Sequence, residues 1–184
     1  MNTEYNVEKY ELDTKLEEIR NNYLRFNITE YGCKHCRCYD NNWTCPPFKE
    51  NQLDIWSKYE NVKLIMLKYN FSKEFLNKQK SYEEFIEYSF DLIHSQKKVI
   101  EHDLYNLKKE LNGEFLTSGP CVNCNVCQRS LGKSCVKPNE RKYAMESLGA
   151  NVIDIAKRYF DLDLEWIRGN SKPNFLIMMV CVLY

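Results

Sequence analysis

The sequence predicts an α/β or α+β fold, with a small mixed sheet covered by helices and two cysteine-rich loops. Two observations support this class. Apolar runs typical of strands alternate with segments of helical period, in the order β-α-loop-β-α-β-loop-α-α-β. Eight of the nine cysteines fall in the two loops of that order. A chain of 184 residues that is 43% hydrophobic can bury one core, so we expect a single domain over residues 1–184.

The N-terminal third is predicted to contain two strands, two short helices and the first cysteine loop. Residues 7–12 alternate enough to favour a short strand. Residues 14–17 (Thr-Lys-Leu-Glu) have the spacing of a capping box and predict a helix that begins there. Residues 33–47 lack an apolar period and are predicted to be a loop. Residues 53–59 are predicted to be a short helix, and residues 62–71, rich in apolar and aromatic side chains, a strand.

A long helix is the clearest predicted element. Ser81 and Glu84 have the spacing of a second capping box, and Gly113 stands where a C′ glycine is expected. The apolar stripe between them consists of Ile86, Phe90, Ile93, Lys97, Ile100, Leu104, Leu107 and Leu111. A helix of about 30 residues is about 45 Å long. Two interpretations stay open: the helix covers the sheet, or it extends past the domain and pairs with a second copy to form a homodimer.

Four further elements are predicted in the C-terminal third. Residues 114–117 form a short strand that leads into the second cysteine segment. Residues 141–148 are predicted to be helical up to Gly149, and residues 152–160 to form another helix. The continuous apolar run of residues 175–183 predicts a buried strand.

Composition narrows the class of protein. Lys+Arg and Asp+Glu both number 26, and this neutral balance argues against nucleic acid or an anionic membrane as the main partner. The N-terminal residues show no secretory signal, and the longest apolar run, residues 175–184, is far too short to span a membrane. We therefore expect a soluble, cytoplasmic protein. Thiols stay reduced in that compartment, so many cysteines indicate metal or redox chemistry rather than disulfides.

The cysteines lie in two short segments. The first ends in Cys-Pro-Pro, and the second has the spacing C-x₂-C-x₂-C with one further cysteine downstream. Structural cysteines are scattered over core faces as small apolar residues, so this clustering predicts two metal-binding loops. The candidate metal ligands are Cys33, Cys36, Cys38, Cys45, Cys121, Cys124, Cys127 and Cys135. Cys181 lies in the last apolar run and is expected to be a core residue.

The spacing favours an iron–sulfur cluster over zinc. Two C-x₂-C pairs, one from each segment, supply the four ligands of a zinc site, but one zinc leaves the other cysteines unused. Three cysteines in a C-x₂-C-x₂-C run are typical of a 4Fe-4S cluster, whose fourth cysteine lies elsewhere and precedes a proline in bacterial ferredoxins. Cys45, followed by Pro46, and Cys135 are both candidates for that fourth ligand. We therefore expect one or two 4Fe-4S clusters, with zinc as the alternative cofactor.

The number of ligands leaves two arrangements open. Eight cysteines suit two clusters, one for each segment. If Cys38 stands outside the set, an iron bounded by Cys33, Cys36 and Cys45 keeps an open position for water or a substrate. The sequence has no Gly-rich phosphate loop, nucleophile elbow or convincing carboxylate pair, so no catalytic residue is predicted. We expect electron transfer or redox sensing, with an open-iron catalytic site or a zinc-stabilised structural or binding module as alternatives.

Basic residues follow the second cysteine segment. They are Arg129, Lys133, Lys137, Arg141 and Lys142, with Glu140 as the acidic residue among them. They form either a solvated face that balances the thiolates or a docking surface for an acidic redox partner protein or a small anionic substrate. His35 forms a C-x-H with Cys33, but a Rieske centre needs a second such histidine. His35 is therefore expected to lie outside the ligand set.

Several spacings in the two segments are specific. They are Cys33-x₂-Cys36-x₂-Tyr39-x₃-Trp43-x-Cys45-Pro46-Pro47-Phe48, Gly119-Pro120-Cys121-x₂-Cys124-x₂-Cys127, Cys135-x₂-Pro138 and Arg141-x₃-Met145-Glu146-x₂-Gly149. With these motifs, the chain from about residue 32 onward resembles a prokaryotic family of uncharacterised, predicted metal-binding proteins that share a domain of unknown function. The resemblance implies metal binding without an established activity, and Cys38 departs from its pattern. The cofactor-binding positions that it implies are Cys33, Cys36, Cys45, Cys121, Cys124, Cys127 and Cys135.

Overall fold

A four-stranded antiparallel sheet forms the centre of the computed structural model, in the strand order β1-β2-β4-β3. The structure describes residues 4–78, 81–167 and 171–184. The strands are β1 (Tyr5–Lys15), β2 (Asn61–Phe71), β3 (Glu114–Leu116) and β4 (Phe175–Leu183). Helices pack on both faces of this sheet, so the predicted fold class is confirmed in its α+β form.

The pairing within the sheet differs from the mixed or parallel arrangement that the strand–helix alternation suggests. Strands β2 and β3 run parallel to each other and are joined through a long helix, as in a β-α-β unit. Strand β4 lies between them and is antiparallel to both. Its apolar side chains are mostly buried, which is why the last strand occupies the middle of the sheet rather than an edge.

Six α-helices surround the sheet in the described part of the chain. They are α1 (Leu16–Tyr23), α2 (Phe26–Lys34), α3 (Leu53–Trp56), α4 (Lys73–Asn77), α5 (Tyr82–Glu110) and α6 (Val152–Phe160). Three short 3-10 helices follow the second cysteine segment or lie within it: Gln128–Leu131, Pro138–Glu140 and Glu146–Leu148. Helix α5 begins with the predicted capping box, in which Ser81 and Glu84 satisfy each other's backbone N–H groups. No helix in the described ranges is long and apolar enough to cross a membrane.

One predicted helix start and one predicted helix are wrong. Thr14 lies in β1, which continues to Lys15 opposite Asn61, so helix α1 begins at Leu16 without a side-chain cap. The Thr14 hydroxyl donates to the Glu18 carboxylate instead. The predicted helix over residues 141–148 is also largely absent, because Ala144 pairs with Thr117 in an isolated β-bridge. Its last three residues alone are helical, in the 3-10 form.

Each face of the sheet carries its own apolar core because successive side chains of a strand point to opposite faces. On one face, Leu64 and Met179 pack with residues of α1 and α6 and with the fully buried Trp56. On the other face, Tyr69 and Val180 pack against helix α5. The long helix therefore covers one face of the sheet. The first cysteine segment connects α2 to α3, and the second connects β3 to α6.

Gly113 is required by close packing rather than by the helix end. The left-handed C′ residue of α5 is Asn112 (φ 50°), whereas a Cβ atom on Gly113 would stand 2.1 Å from the carbonyl oxygen of Leu183. We expect Gly113→Ala to lower the free energy of unfolding by about 1–3 kcal/mol, because the overlap is with backbone that cannot rotate away. Chemical denaturation measures this. The control is Gly32→Ala in α2, where a Cβ atom meets nothing within 4 Å; an equal loss in both variants would contradict the prediction.

Candidate metal centre

The first cysteine segment begins on a helix. Cys33 lies in the last turn of α2 rather than in a loop, and the turns that follow carry Cys36, Cys38 and Cys45. Helix α2 is absent from the sequence prediction because none of its residues is buried, so it has no clear apolar stripe. Cys45 is buried, whereas Cys36 is exposed. The first cysteine group, defined as these four residues, therefore extends from the surface to the interior.

The thiols of this group differ in their ionisation. Burial raises the pKa of Cys33 to about 11 and that of Cys45 to about 12, with a further rise from the neighbouring Cys36. The Cys38 thiol donates a hydrogen bond to the Cys36 Sγ atom, which lowers the pKa of Cys36 to about 6 and raises that of Cys38. The backbone N–H of Cys38 also lies 3.5 Å from the same sulfur. Metal ligation needs thiolates, so a bound cation would have to lower the pKa of both Cys33 and Cys45.

The second cysteine group surrounds a cavity. The cavity is also lined by residues 42–44 of the first segment, and the Trp43 backbone N–H donates to the Cys127 Sγ atom at 3.4 Å. The four cysteines that line it are Cys121, Cys124, Cys127 and Cys135. Cys45 lies with the first group instead, so the structure separates the two residues that the sequence offered as alternative fourth ligands.

Direct hydrogen bonds hold the two segments together. The Asn42 side chain donates to the Cys121 carbonyl at 3.1 Å, and the Cys121 backbone N–H donates to the Thr44 hydroxyl at 3.0 Å. The buried Thr44 hydroxyl in turn donates to the Asn42 side-chain oxygen at 2.9 Å. Cys38 lines a second cavity together with three cysteines of the other group, including Cys124. The two groups are therefore adjacent in space although they are distant along the chain.

Arg129 ties the second segment to the first. Its guanidinium donates to the backbone carbonyls of Asn42, Cys45 and Pro47 at 3.1, 2.6 and 2.8 Å. It also forms an ion pair of 2.7 Å with Asp40, although only 12% of the Arg129 side chain is exposed. The planar, multidentate guanidinium suits this set of acceptors. Arg129, predicted to belong to a basic surface, is thus largely directed inward.

The other basic residues have mixed surroundings. Lys142 is 8% exposed and pairs with Glu114. Lys137 pairs with Glu140 at the surface, and the Arg141 Nε atom donates to the Pro138 carbonyl. The stretch therefore presents fewer free cations than its sequence suggests.

Two charged residues near the cysteines, Lys97 and Glu146, occur in the sequence patterns above without a predicted role. Lys97 is 1% exposed and donates to the carbonyls of Gly119 and Pro120, directly before Cys121. Burial lowers the pKa of Lys97, opposed by the negative charges of Glu101, Glu146, Cys121 and Cys45. Its position within the apolar stripe of α5 was a signal in the sequence, because a charged residue at a core position is normally paired.

Glu146 lies on the other side of the same backbone turn. Its Oε1 atom accepts a hydrogen bond of 2.7 Å from the Gly119 backbone N–H. Its Oε2 atom is buried and has no hydrogen-bond partner among the described residues. Burial raises the pKa of Glu146, against the opposing effects of the Gly119 N–H, its own backbone N–H, Lys97 and Ser118.

The histidines lie outside the cysteine groups. His35 is exposed, and its Nδ1 atom lies 2.8 Å from the Tyr31 carbonyl oxygen. The His94 ring packs at a tilt against Phe90, and His94 borders the cavity that Cys38 lines. Across the described parts of the chain, no set of three or more His, Cys, Asp or Glu side chains is arranged, as it stands, to hold a metal ion.

The fold and the two adjoining thiol groups define an α+β protein with a cysteine-rich centre between two connections of its sheet. The chain belongs to the family described as predicted metal-binding protein (DUF2284), whose family profile matches residues 25–184. This confirms the family that the sequence motifs suggested, and with it the expectation of metal binding. Neither a search of curated proteins nor a search of solved structures gave a match.

Proposed function

We propose that this chain is an iron–sulfur protein that serves electron transfer or redox sensing. The second group, with four cysteines around one cavity, is the observation that carries the proposal. Three of these cysteines have the C-x₂-C-x₂-C spacing that is typical of a 4Fe-4S cluster, and Cys135 lines the same cavity as a fourth thiol. A zinc site built from one C-x₂-C pair of each segment would leave Cys127 and Cys135 without a role.

Two clusters, one for each cysteine group, agree with the adjacency of the groups. The Asn42 and Thr44 side chains connect the backbones of both segments, and Lys97 places a buried cation beside Cys121 and Cys45. Cationic and N–H groups near a cluster stabilise its reduced form and raise its reduction potential. Cys36 is exposed, so an external donor can reach the proposed first cluster at this residue. The proposed second cluster lies next to the first, so an electron can pass between them. This layout supports electron transfer, with an acidic redox protein or a small anionic molecule as the proposed partner.

Metal and sulfide analysis of anaerobically purified protein tests this function. We expect brown protein with about four or eight irons and the same number of acid-labile sulfides per chain. Reduction with dithionite should then produce a paramagnetic resonance signal of a reduced cluster. Colourless protein that contains stoichiometric zinc and no sulfide would overturn the proposal and favour the zinc-stabilised module.

A further inference from the structure

One oxygen of a buried carboxylate near the first cysteine group accepts no hydrogen bond from the described part of the chain. The Glu146 Oε1 atom is fixed by the Gly119 N–H at 2.7 Å, whereas Oε2 is buried without a hydrogen bond among the described residues. A buried polar atom without a partner costs free energy, so it calls for an explanation such as an ion. The Glu146 carboxylate is thus held in place through Oε1, and Oε2 remains available to bind an ion.

The surroundings of Glu146 place it beside the first cysteine group. It begins the 3-10 helix Glu146–Leu148, which packs against α2, the helix that ends at Cys33 and Lys34. The Glu146 carboxylate is close enough to Cys33 and Cys45 to act on both thiols electrostatically. Lys97 interacts with the same carboxylate and with Cys45. Glu146 therefore shares its environment with two thiols of the first group and a buried cation.

Cys38 is less suited to complete the first group than its position in the sequence suggests. It is two residues from Cys36, and its thiol is hydrogen-bonded to the Cys36 Sγ atom. It also lines a cavity with cysteines of the second group, among them Cys121 and Cys124. The first group thus offers three thiols, from Cys33, Cys36 and Cys45, with Cys38 beside the other group.

We propose that Glu146 is the fourth ligand of the first cluster, holding through Oε2 the iron that the three thiols leave open. This rests on the proposed iron–sulfur function. A carboxylate binds iron as a hard oxygen ligand, unlike the three soft thiolates. The iron at Glu146 is consequently the exchangeable one, and a small anionic ligand that displaces the carboxylate reaches iron at this position.

The test measures how fast one iron leaves the cluster. Ferricyanide takes one electron from a 4Fe-4S core, one Fe²⁺ departs, and a three-iron core remains. The protein is purified anaerobically with all its metal, and an Fe²⁺ chelator and the paramagnetic resonance signal of the three-iron core follow the reaction. Three variants are compared with the natural chain: Glu146→Ala, Cys38→Ala and Glu101→Gln. Glu101 is the matched control, a half-buried carboxylate that also interacts with Lys97.

We expect Glu146→Ala to lose the iron at least about tenfold faster than the natural chain, the scale on which a metal site loses affinity when a contact is removed. Glu101→Gln should keep the natural rate. Cys38→Ala removes a hydrogen bond to Cys36 but no proposed ligand, so its rate should change by less than that of Glu146→Ala. Faster loss in Cys38→Ala with a natural rate in Glu146→Ala would overturn the proposal and make Cys38 the ligand, and equal rates in all variants would overturn it as well.

Two further measurements keep the test decisive. If Glu146→Ala does not fold, as judged by circular dichroism, Glu146→Gln keeps the shape and the Gly119 hydrogen bond, and it should also lose iron faster than the natural chain. A natural chain without acid-labile sulfide would refute the iron–sulfur function itself. A natural chain with sulfide but with the wrong response of the variants would refute the role of Glu146 alone.

Discussion

The combined substitution Cys121→Ala and Cys124→Ala is expected to remove about half of the iron and acid-labile sulfide from the anaerobically purified protein. These residues supply two of the four thiols around one cavity, and a cubane does not persist on two thiolates. The iron of the first group should remain, because its proposed ligands, Cys33, Cys36 and Cys45 with Glu146, are unchanged in this variant. Iron and sulfide analysis, with the absorbance of the cluster per chain, measures the change.

Cys181 supplies the matched control for this experiment. It is fully buried in β4 within the apolar core on the α1 and α6 face of the sheet, and it lines neither of the two cavities that the other cysteines border. Cys181→Ala should keep the full iron and sulfide content, even if it lowers stability. Full metal content in the double variant, or an equal loss in the control, would contradict the assignment of the second group as a cluster site.

Replacement of Arg129 by alanine is expected to lower the free energy of unfolding by about 2–4 kcal/mol and to shorten the half-life of the proposed cluster in air. The side chain is largely buried and satisfies the carbonyls of Asn42 and Cys45, which are themselves buried residues. Removal of a partner from a buried acceptor costs about 1–3 kcal/mol for each group. Arg129→Lys should recover part of the loss, because it keeps the charge without the fork geometry. Denaturant titration and the half-life of cluster absorbance in air measure the two effects.

Asp40→Asn separates the ion pair of Arg129 from its carbonyl contacts. The Asp40 side chain is 67% exposed, so its ion pair should contribute no more than about 1 kcal/mol. The variant should therefore resemble the natural chain in both assays. A loss as large as that of Arg129→Ala would show that the ion pair, rather than the carbonyl contacts, holds the two segments together.

Most of the sheet and the long helix were predictable from apolar pattern alone. Residues 62–71 are rich in apolar and aromatic side chains, and residues 175–183 are a continuous apolar run. Ser81 caps the start of α5 through a capping box, which is a local signal. The order of the strands was not predictable, because the position of β4 between β2 and β3 depends on pairing between distant segments. Pairing likewise keeps Thr14 in β1 and Ala144 in a bridge, against their local helical pattern.

The candidate site was predictable in its residue types and not in its geometry. The spacing of the cysteines identified the two segments, but the contact of Trp43 with Cys127 arises only in the folded chain. Glu146 belongs to one of the sequence motifs, but it received no role there because a single glutamate next to a methionine is not a recognisable metal-ligand pattern. Its importance comes from the unpartnered Oε2 atom, which only the packing of its surroundings creates.

The central position of β4 has a consequence for biosynthesis. Strand β4 follows both cysteine segments in the chain but lies between β2 and β3, so the ribosome delivers the middle of the sheet after the thiols have already emerged. Strand β3, the support from which the second segment departs, is paired through β4 in the described part of the chain. We therefore expect a metal that needs both segments in their final positions to bind only after residues 175–183 have been translated.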